Sequence, residues 1–444
     1  MMDKTRREEL AQRVLARSKA EQTEAIVQTE DFGLTRFTHN AVHQNISETN
    51  TTLRVRAIVD GRAGVVTTNA TSDDGIDAAL TRALDIARIV PPDEGFVPLE
   101  RTTANEPGVQ GYFASTAAAT PEQRARMAAD VFAVSKEAGL WAAGYVRTSS
   151  SGITIANSAG ARLSYDGTEA VINVKQNGAD STGYAEHVSP DVAHIDAGAV
   201  ARHAAGKALA SRAPAPVEPG PWTVVIEPAA FGELLAFLNG HFSAQTVEEG
   251  GSFITEGLGV KYLAESLSIR EDYAHPEIAG MPFDYQGYPT QRLDLVELGV
   301  VSHVVTDAYW ARKLNVPNTG HGLPAPNGEG PMIRNLVVAP GTKSTAELIA
   351  GVERGLLITR FWYIRTVDQK RAIVTGMTRD GTFLIENGRV TRGVNNLRFN
   401  ESIVSALSSI ECSSERARTN GFYYNAVVPA VRIDNFTFSS STEF

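Results

Sequence analysis

Nine histidines, one cysteine and scattered carboxylates are the residues through which this chain could bind metal or move protons. A zinc site needs three or four such donors converging on one point, and two histidines four apart on a helix supply half of that. His39 and His43 have this spacing. Their setting, Arg36-Phe-Thr-His-Asn-Ala-Val-His-Gln-Asn-Ile46, reads as strand and turn. On a strand the two rings would be spread over roughly 13 Å, too far for one ion. His187 and His194 lie near Glu186 and Asp191 in a loop-like stretch and read as solvated residues, and His203 falls in an alanine-rich helical segment. No His-Glu-x-x-His, Cys-x-x-Cys, Gly-x-Ser-x-Gly or Walker pattern occurs. Gly250-Gly251-Ser252 and Gly257-Leu-Gly259 lack the strand–loop–helix context of a phosphate cradle and read as turns. Serine and threonine are abundant, yet no Ser–His–Asp set can be singled out. The residue inventory alone supplies no self-contained catalytic site.

Cys412 is the only cysteine, which excludes an intramolecular disulfide and a cysteine-rich zinc site. The chain has 444 residues, enough for two large domains. Hydrophobic residues make up 43% and charged residues 21%, as in soluble globular proteins. The net charge is −10 and no Lys/Arg block is present, which argues against a general nucleic-acid binder. The first residues are charged and helix-like, without the apolar core of a signal peptide, and no apolar run approaches the ~20 residues that span a bilayer. The expected location is the cytoplasm, with no membrane or nucleic-acid partner.

The elements that would position any site follow from periodicity. Leu10, Val14 and Leu15 share one side of a helix over about 6–19. Strands are expected at 24–29 and, more polar, at 33–46. A hairpin follows, with 52–59 alternating apolar and polar residues, Asp60-Gly61 as the turn, and 62–68 returning. A helix over 73–90 aligns Ile76, Ala79, Leu80, Ala83, Leu84, Ala87 and Val90, with Asp73 and Asp74 at its positive end and Pro91-Pro92 stopping it. Residues 91–117 read as an irregular connector. Thr120, Pro121 and Gln123 mark the start of a helix ending near Gly139. Strands at 153–157, 161–165 and 170–176 and a helix over 191–210 complete an α+β domain at 1–211. The proline-rich stretch 212–221 is read as a linker. Residues 222–444 read as a β-rich, barrel- or sandwich-like domain. It opens with a strand at 222–226 and a short helix at 229–238. Later comes a meander over 372–394 with turns at Asp380-Gly381 and Asn387-Gly388. No low-complexity tract or short internal repeat is visible.

Several segments, taken together and in order, resemble the TldD/PmbA (modulator of DNA gyrase) peptidase family. They are Phe231-Gly-Glu-Leu-Leu-Ala-Phe-Leu238, Val247-Glu-Glu-Gly-Gly-Ser-Phe253 with Gly257-Leu-Gly-Val260, and Pro282-Phe-Asp284 with Gly287 and Pro289-Thr290. Further along are 307–314 with Asn318-Thr-Gly-His321, Asn335-Leu-Val-Val-Ala-Pro-Gly341, and 376–388 ending in Phe383-Leu-Ile-Glu-Asn-Gly388. In the first half, Asp60-Gly61-Arg62-Ala-Gly64 and Thr67-Thr-Asn69 agree as well. The resemblance covers nearly the whole chain.

The family implies a zinc peptidase whose TldD-type subunit holds the metal on a His-Glu-x-x-x-His helix with a further cysteine near the C-terminus. The equivalent helix here, Ala229-Ala-Phe-Gly-Glu-Leu-Leu-Ala-Phe237, keeps Glu233 but has no histidine beside it. His241 comes after the helix, unpaired. Cys412 falls before the family's cysteine position, and the aligned stretch 420–423 has none. These departures match the TldE (PmbA) branch. The resemblance therefore implies a non-catalytic subunit without its own metal or catalytic residues. Zinc is expected in a partner TldD-type subunit, and peptides or unfolded proteins are the expected substrates. The family's Phe-Asp-Asp-Glu-Gly turn is Phe283-Asp-Tyr-Gln-Gly287 here, and 360–371 is basic and aromatic where the family is often glycine-rich. Glu233, His241, His321, Arg360 and Trp362 are the candidate substrate-channel residues. Two other readings stand beside this one: a stand-alone peptide-binding scaffold, and an independent hydrolase using Glu233, His241 or His321.

Overall fold

The computed structural model describes residues 2–92, 95–104, 108–421 and 424–442. The fold is α+β, with a first region of helices on a six-stranded sheet and a second dominated by a twelve-stranded one.

The first sheet is antiparallel throughout. Its strands are β1 (Gln22–Thr38), β2 (Ala41–Val59), β3 (Arg62–Thr68), β4 (Trp141–Asn157), β5 (Arg162–Asn177) and β6 (Thr182–Ser189), in the order β3-β2-β1-β4-β5-β6. Helices Lys4–Arg17, Asp73–Ile89, Pro121–Glu137 and Ala197–Ala210 accompany them. Asp3, Ser72, Thr120 and Asp196 cap these helices, each side chain accepting a first-turn N–H. Leu10, Val14, Val27, Leu53, Val55, Ile76 and Leu80 form one buried cluster, and Phe37, Met127, Val131, Val146, Ile172 and Val200 another. Each such side chain contributes about 1.5–3 kcal/mol when fully buried.

The two clusters belong to two copies of one unit. Each copy runs helix, three strands, helix, and the sheet order is symmetric about the β1–β4 seam. β1 and β4 start at Gln22 and Trp141 and end at Thr38 and Asn157, 119 positions apart at both ends. Across the seam Thr29 faces Gly152 and Gly33 faces Thr148. Arg7, wholly buried, lies over Gly152 and bonds Thr154 (3.4 Å) and Thr29 (3.5 Å). Arg124 lies over Gly33 and bonds Thr35 (3.4 Å) and Thr148 (3.0 Å). A Cβ on either glycine would sit 2.3 Å from the guanidinium above it. Helix-to-strand contacts repeat too: Gly64 meets the backbone of Ala83 and Ala87, and Gly183 that of Ala204 and Ala208. This period is far longer than a solenoid repeat, and what persists is packing more than sequence.

The expected elements are present with altered bounds. The strands expected at 24–29 and 33–46 are β1 and the start of β2, joined by a tight turn at His39-Asn40, both with positive φ. His39 stacks on Trp141 (4.1 Å), and His43 is exposed on β2, so the pair does not converge. The connector 91–117 contains a short helix, Ala114–Ala117; its residues 93–94 and 105–107 lie outside the described residues.

In the second region five strands close a ring: Ile373–Glu386, Arg354–Asp368, Gly220–Ile226, Asn425–Ser441 and Leu397–Ser402, the last returning to the first. The barrel is filled by Val224, Ile226, Leu356, Ile358 and an aromatic group of Phe361, Phe399, Phe436 and Phe438. Asp380-Gly381 is not a hairpin turn. Both residues take positive φ inside one continuous strand, which they kink, whereas Asn387-Gly388 does turn the chain into Arg389–Gly393. Among the described residues no helix is long and apolar enough to cross a membrane.

Candidate functional site

The face of the first sheet turned away from its helices meets the second region. Ile26, Ile153, Ile155 and Leu163 pack on Phe283 there. Beyond this apolar contact the two regions part around a cavity of about 590 Å³. Gln28, Glu30, Asn50, Ser149 and Glu169 form its sheet wall, and Tyr285, Arg334, Asn335, Arg418 and Tyr424 the opposite one. Strand alternation explains the wall: residues whose neighbours fill the helix-side cores point the other way.

One polar network crosses the cavity. Arg147 and Arg418 both bind Glu169, Arg418 donates to Asn425 Oδ1 (2.7 Å), and Asn425 donates to Asn335 Oδ1 (3.2 Å). Asn335 in turn donates from Nδ2 (2.7 Å) and its backbone N–H (2.8 Å) to the fully buried Glu271. Burial pushes the Glu271 carboxyl up, but the adjoining His321 imidazole and the Asn335 amide groups outweigh it and hold it below the usual range. His321 is therefore structural in placement. It is buried, with Nδ1 3.0 Å from Thr319 Oγ1 and Nε2 3.7 Å from Glu271.

The second cluster surrounds helix Pro228–Leu235, which touches the cavity where Tyr424 donates to the Gly232 carbonyl (2.5 Å). Its apolar side, Ala230, Phe231, Leu234 and Leu235, is buried in the barrel core, which turns Glu233 outward. Glu233 Oε1 lies 3.4 Å from Arg360 Nε, while Oε2 is shielded from solvent and unpartnered. The stem stays partly accessible, but burial at the carboxyl pushes its pKa up to about 7 despite Arg360. Arg360 also contacts Asp380 (3.4 Å) and lies over the rings of Tyr184 (4.4 Å) and Trp362 (5.0 Å). Lys175 reaches Asp380 from the first sheet (2.7 Å), and Tyr184 donates to Glu186 (2.5 Å).

The structure thus brings Glu233, Arg360 and Trp362 together and leaves the two histidines elsewhere. His241 sits in the 3₁₀ turn Ala236–Phe242, 1% exposed. Its Nδ1 accepts from the Phe253 N–H (3.3 Å), and burial pushes its pKa down to about 4, so it stays neutral. Tyr184, Glu186, Asp380, Glu169, Glu271 and Arg418 escaped the sequence reading. They are spread over five strands with no local motif, and Asp380 was hidden inside what reads as a turn.

These donors do not fit zinc. The helix offers one carboxylate, and its nearest charged neighbour is a guanidinium, which repels a cation. Among the described residues no group of three or more His, Cys, Asp or Glu side chains is placed to hold a metal ion. Cys412 is buried and its thiol is pushed up to about 12, away from the reactive thiolate. Of the stretch 420–423, Phe422 and Tyr423 lie outside the described residues.

A barrel carrying this helix, joined across a polar cavity to a duplicated antiparallel sheet, is the architecture of a metallopeptidase family. Residues 219–440 match the PmbA/TldA metallopeptidase C-terminal domain and residues 23–87 match domain 1 of the same proteins. The chain belongs to the PmbA/TldD family. It is 28% identical over 163 residues to the metalloprotease PmbA of Escherichia coli O157:H7, covering 35% of this chain and 33% of that protein. It is 23% identical over 209 residues to a zinc metalloprotease TldD homolog of Saccharolobus solfataricus, covering 46% of each. The matched stretches thus span less than half of these relatives. In fold it is similar to TldE from Thermococcus kodakarensis, with a TM-score of 0.86 at 19% identity, covering 95% of this chain and 97% of that one.

Proposed function

We propose that this chain is the non-catalytic, TldE-like subunit of a two-subunit TldD/TldE zinc metalloprotease. The complex degrades unfolded peptides or matures peptide precursors by removing leaders. The observation that carries this reading is that Glu233, on the helix where a catalytic member would present two imidazoles, is paired with Arg360 of the strand Arg354–Asp368. A glutamate with a guanidinium against it neither binds zinc nor activates zinc-bound water. In this reading the cavity walls and the Glu233–Arg360–Trp362 cluster bound a substrate chamber, and the zinc belongs to the partner. The division into 1–211, the linker 212–221 and 222–444 is part of the proposal, as is a cytoplasmic location.

Co-expression with the cognate His-Glu-x-x-x-His subunit tests it. A stable complex that cleaves peptides, where neither chain does so alone, is the expected outcome. Full activity of the zinc subunit alone, with no complex formed, would contradict it. A stand-alone peptide-binding scaffold is favoured by one feature, the cavity that this chain builds unaided. Titrating labelled unfolded peptides onto the isolated chain separates the two readings, since the scaffold must bind without a partner. The independent-hydrolase reading loses support because Glu233, His241 and His321 are each engaged separately.

A further inference from the structure

The duplicated sheet has two equivalent edges, and only one of them is covered. In the second copy the outer edge of β5 beyond β6 is closed by the chain itself: the Thr168 N–H donates to the Gly111 carbonyl (2.9 Å) and the Phe113 N–H to Thr168 Oγ1 (3.0 Å). The matching strand in the first copy is β2, and its Thr49 stands 119 positions before Thr168. β3 pairs with β2 only from Val59 back to Leu53, so among the described residues no strand pairs with residues 41–52 on the side away from β1. The polar groups on that side can be assigned. Residues flanking a two-residue turn form a hydrogen-bonded pair, so odd-numbered residues of β2 face β3 and, past Leu53, face outward. Asn69 Nδ2 takes the Thr51 carbonyl from that side (2.9 Å), as this parity requires. Asn45, Ser47 and Thr49 come next.

This edge spans about 30 Å at the usual strand rise. Isolated edges are normally guarded by lysine, proline or a bulge that turns them away. A bulge at His43, where the register with β1 shifts, limits the regular edge on that side. Beyond it residues 44–50, Gln-Asn-Ile-Ser-Glu-Thr-Asn, contain no Lys, Arg or Pro, and all but Ile46 are exposed. Both faces of residues 44–49 are therefore largely exposed, and Asn50 at the end of the stretch joins the cavity wall. A flexible peptide would have to be ordered with little side-chain burial in return, whereas a strand already fixed in a folded subunit avoids that cost. A subunit of the same fold brings an equivalent arm, and the β1–β4 seam shows that such arms join antiparallel.

We propose that the outer edge of β2 over residues 45–49 docks an edge strand of the zinc-bearing partner subunit, continuing the six-stranded sheet across the interface. This rests on the two-subunit reading above. The test measures the affinity of the purified chain for the cognate zinc subunit, with wild type, Ser47→Pro/Thr49→Pro and Ser47→Lys/Thr49→Lys. The prolines remove outward donors and the lysines restore an edge guard without touching the β1 ladder. Each pair is expected to weaken binding about 10-fold or more, with the circular dichroism spectrum of the isolated chain unchanged. In wild type the amides of Asn45, Ser47 and Thr49 should exchange slowly only in the complex. If wild type forms no complex, the two-subunit reading fails and this proposal with it. If wild type binds and the lysine pair binds equally well, the docking edge alone is wrong. A homodimer of the isolated chain that the lysine pair abolishes would assign the edge to a second copy and overturn the occupant proposed.

Discussion

Arg7 and Arg124 hold matching places on the two sides of the β1–β4 seam, each over a glycine and each between two threonines. Only Arg7 ends on a carboxylate, Asp166 at 2.7 Å. The position 119 residues before Asp166 is Ser47, so Arg124 meets hydroxyls and the Ala119 carbonyl instead. The centre of the duplicated sheet is thus kept alike in both copies while the periphery has diverged. In the second copy the periphery is closed by the connector and by the second region. In the first copy it is left open.

The comparison can be broken most severely at the arginines. Arg7→Ala should cost about 3 kcal/mol or more, because it empties a fully buried site and strands Asp166 and two threonines. Arg124→Ala should cost less, about 2 kcal/mol, since no carboxylate is left behind. Urea unfolding of both variants measures the difference; a larger loss for Arg124 would refute the assigned asymmetry. The glycines test the likeness. A Cβ at Gly64 would lie 1.9 Å from the Ala83 carbonyl oxygen and one at Gly183 2.2 Å from that of Ala204. Gly64→Ala and Gly183→Ala should each cost about 1–3 kcal/mol by forcing helix from strand, and the two losses should agree within about 1 kcal/mol. A neutral effect at one site would show that the two packings are not equivalent.

A satisfied and an unsatisfied carboxylate also contrast between regions, Asp166 with Arg7 against the half-orphaned Glu233. Burial raises Glu233 from its ordinary 4.5 to about 7. Between those values the folded chain retains a proton that the unfolded chain has released, so this group makes stability fall as pH rises through the window. His241 acts in the opposite sense. Lowered from 6.5 to about 4, it makes stability rise with pH between those values. Glu233→Gln should therefore remove a downward slope between pH 4.5 and 7, seen as the difference between wild-type and variant unfolding midpoints. A pH-independent difference would contradict the shifted carboxyl. The smallest effect is a repair: Ser47→Asp gives Arg124 the carboxylate that Arg7 has and should stabilise by up to ~1 kcal/mol, read as a small rise in thermal midpoint.

Much of this architecture was legible where a local rule decides. The 73–90 periodicity, the Thr120-Pro121 start and the Asp60-Gly61 and Asn387-Gly388 turns each depend on neighbours in sequence. Asp380-Gly381 misled because the same positive-φ pair that makes a hairpin turn also makes a kink in a strand already paired on both sides. The duplication was invisible because it survives in a few glycines and threonines 119 residues apart and not in any continuous run of matching residues. The candidate site was half legible. The helix expected at 229–238 (Pro228–Leu235 in the structure) and Arg360 were named from sequence, but Tyr184, Glu186, Asp380 and the Glu169–Arg418 bridge come from strands brought together only by the fold.

The central claim is that this chain carries no zinc of its own and works beside a subunit that does. Metal analysis of the purified chain, alone and in complex with its cognate His-Glu-x-x-x-His subunit, tests it most directly. The account predicts far less than one zinc per isolated chain, one zinc per complex, and loss of that zinc when the partner's motif is mutated. One tightly held zinc in the isolated chain would contradict it.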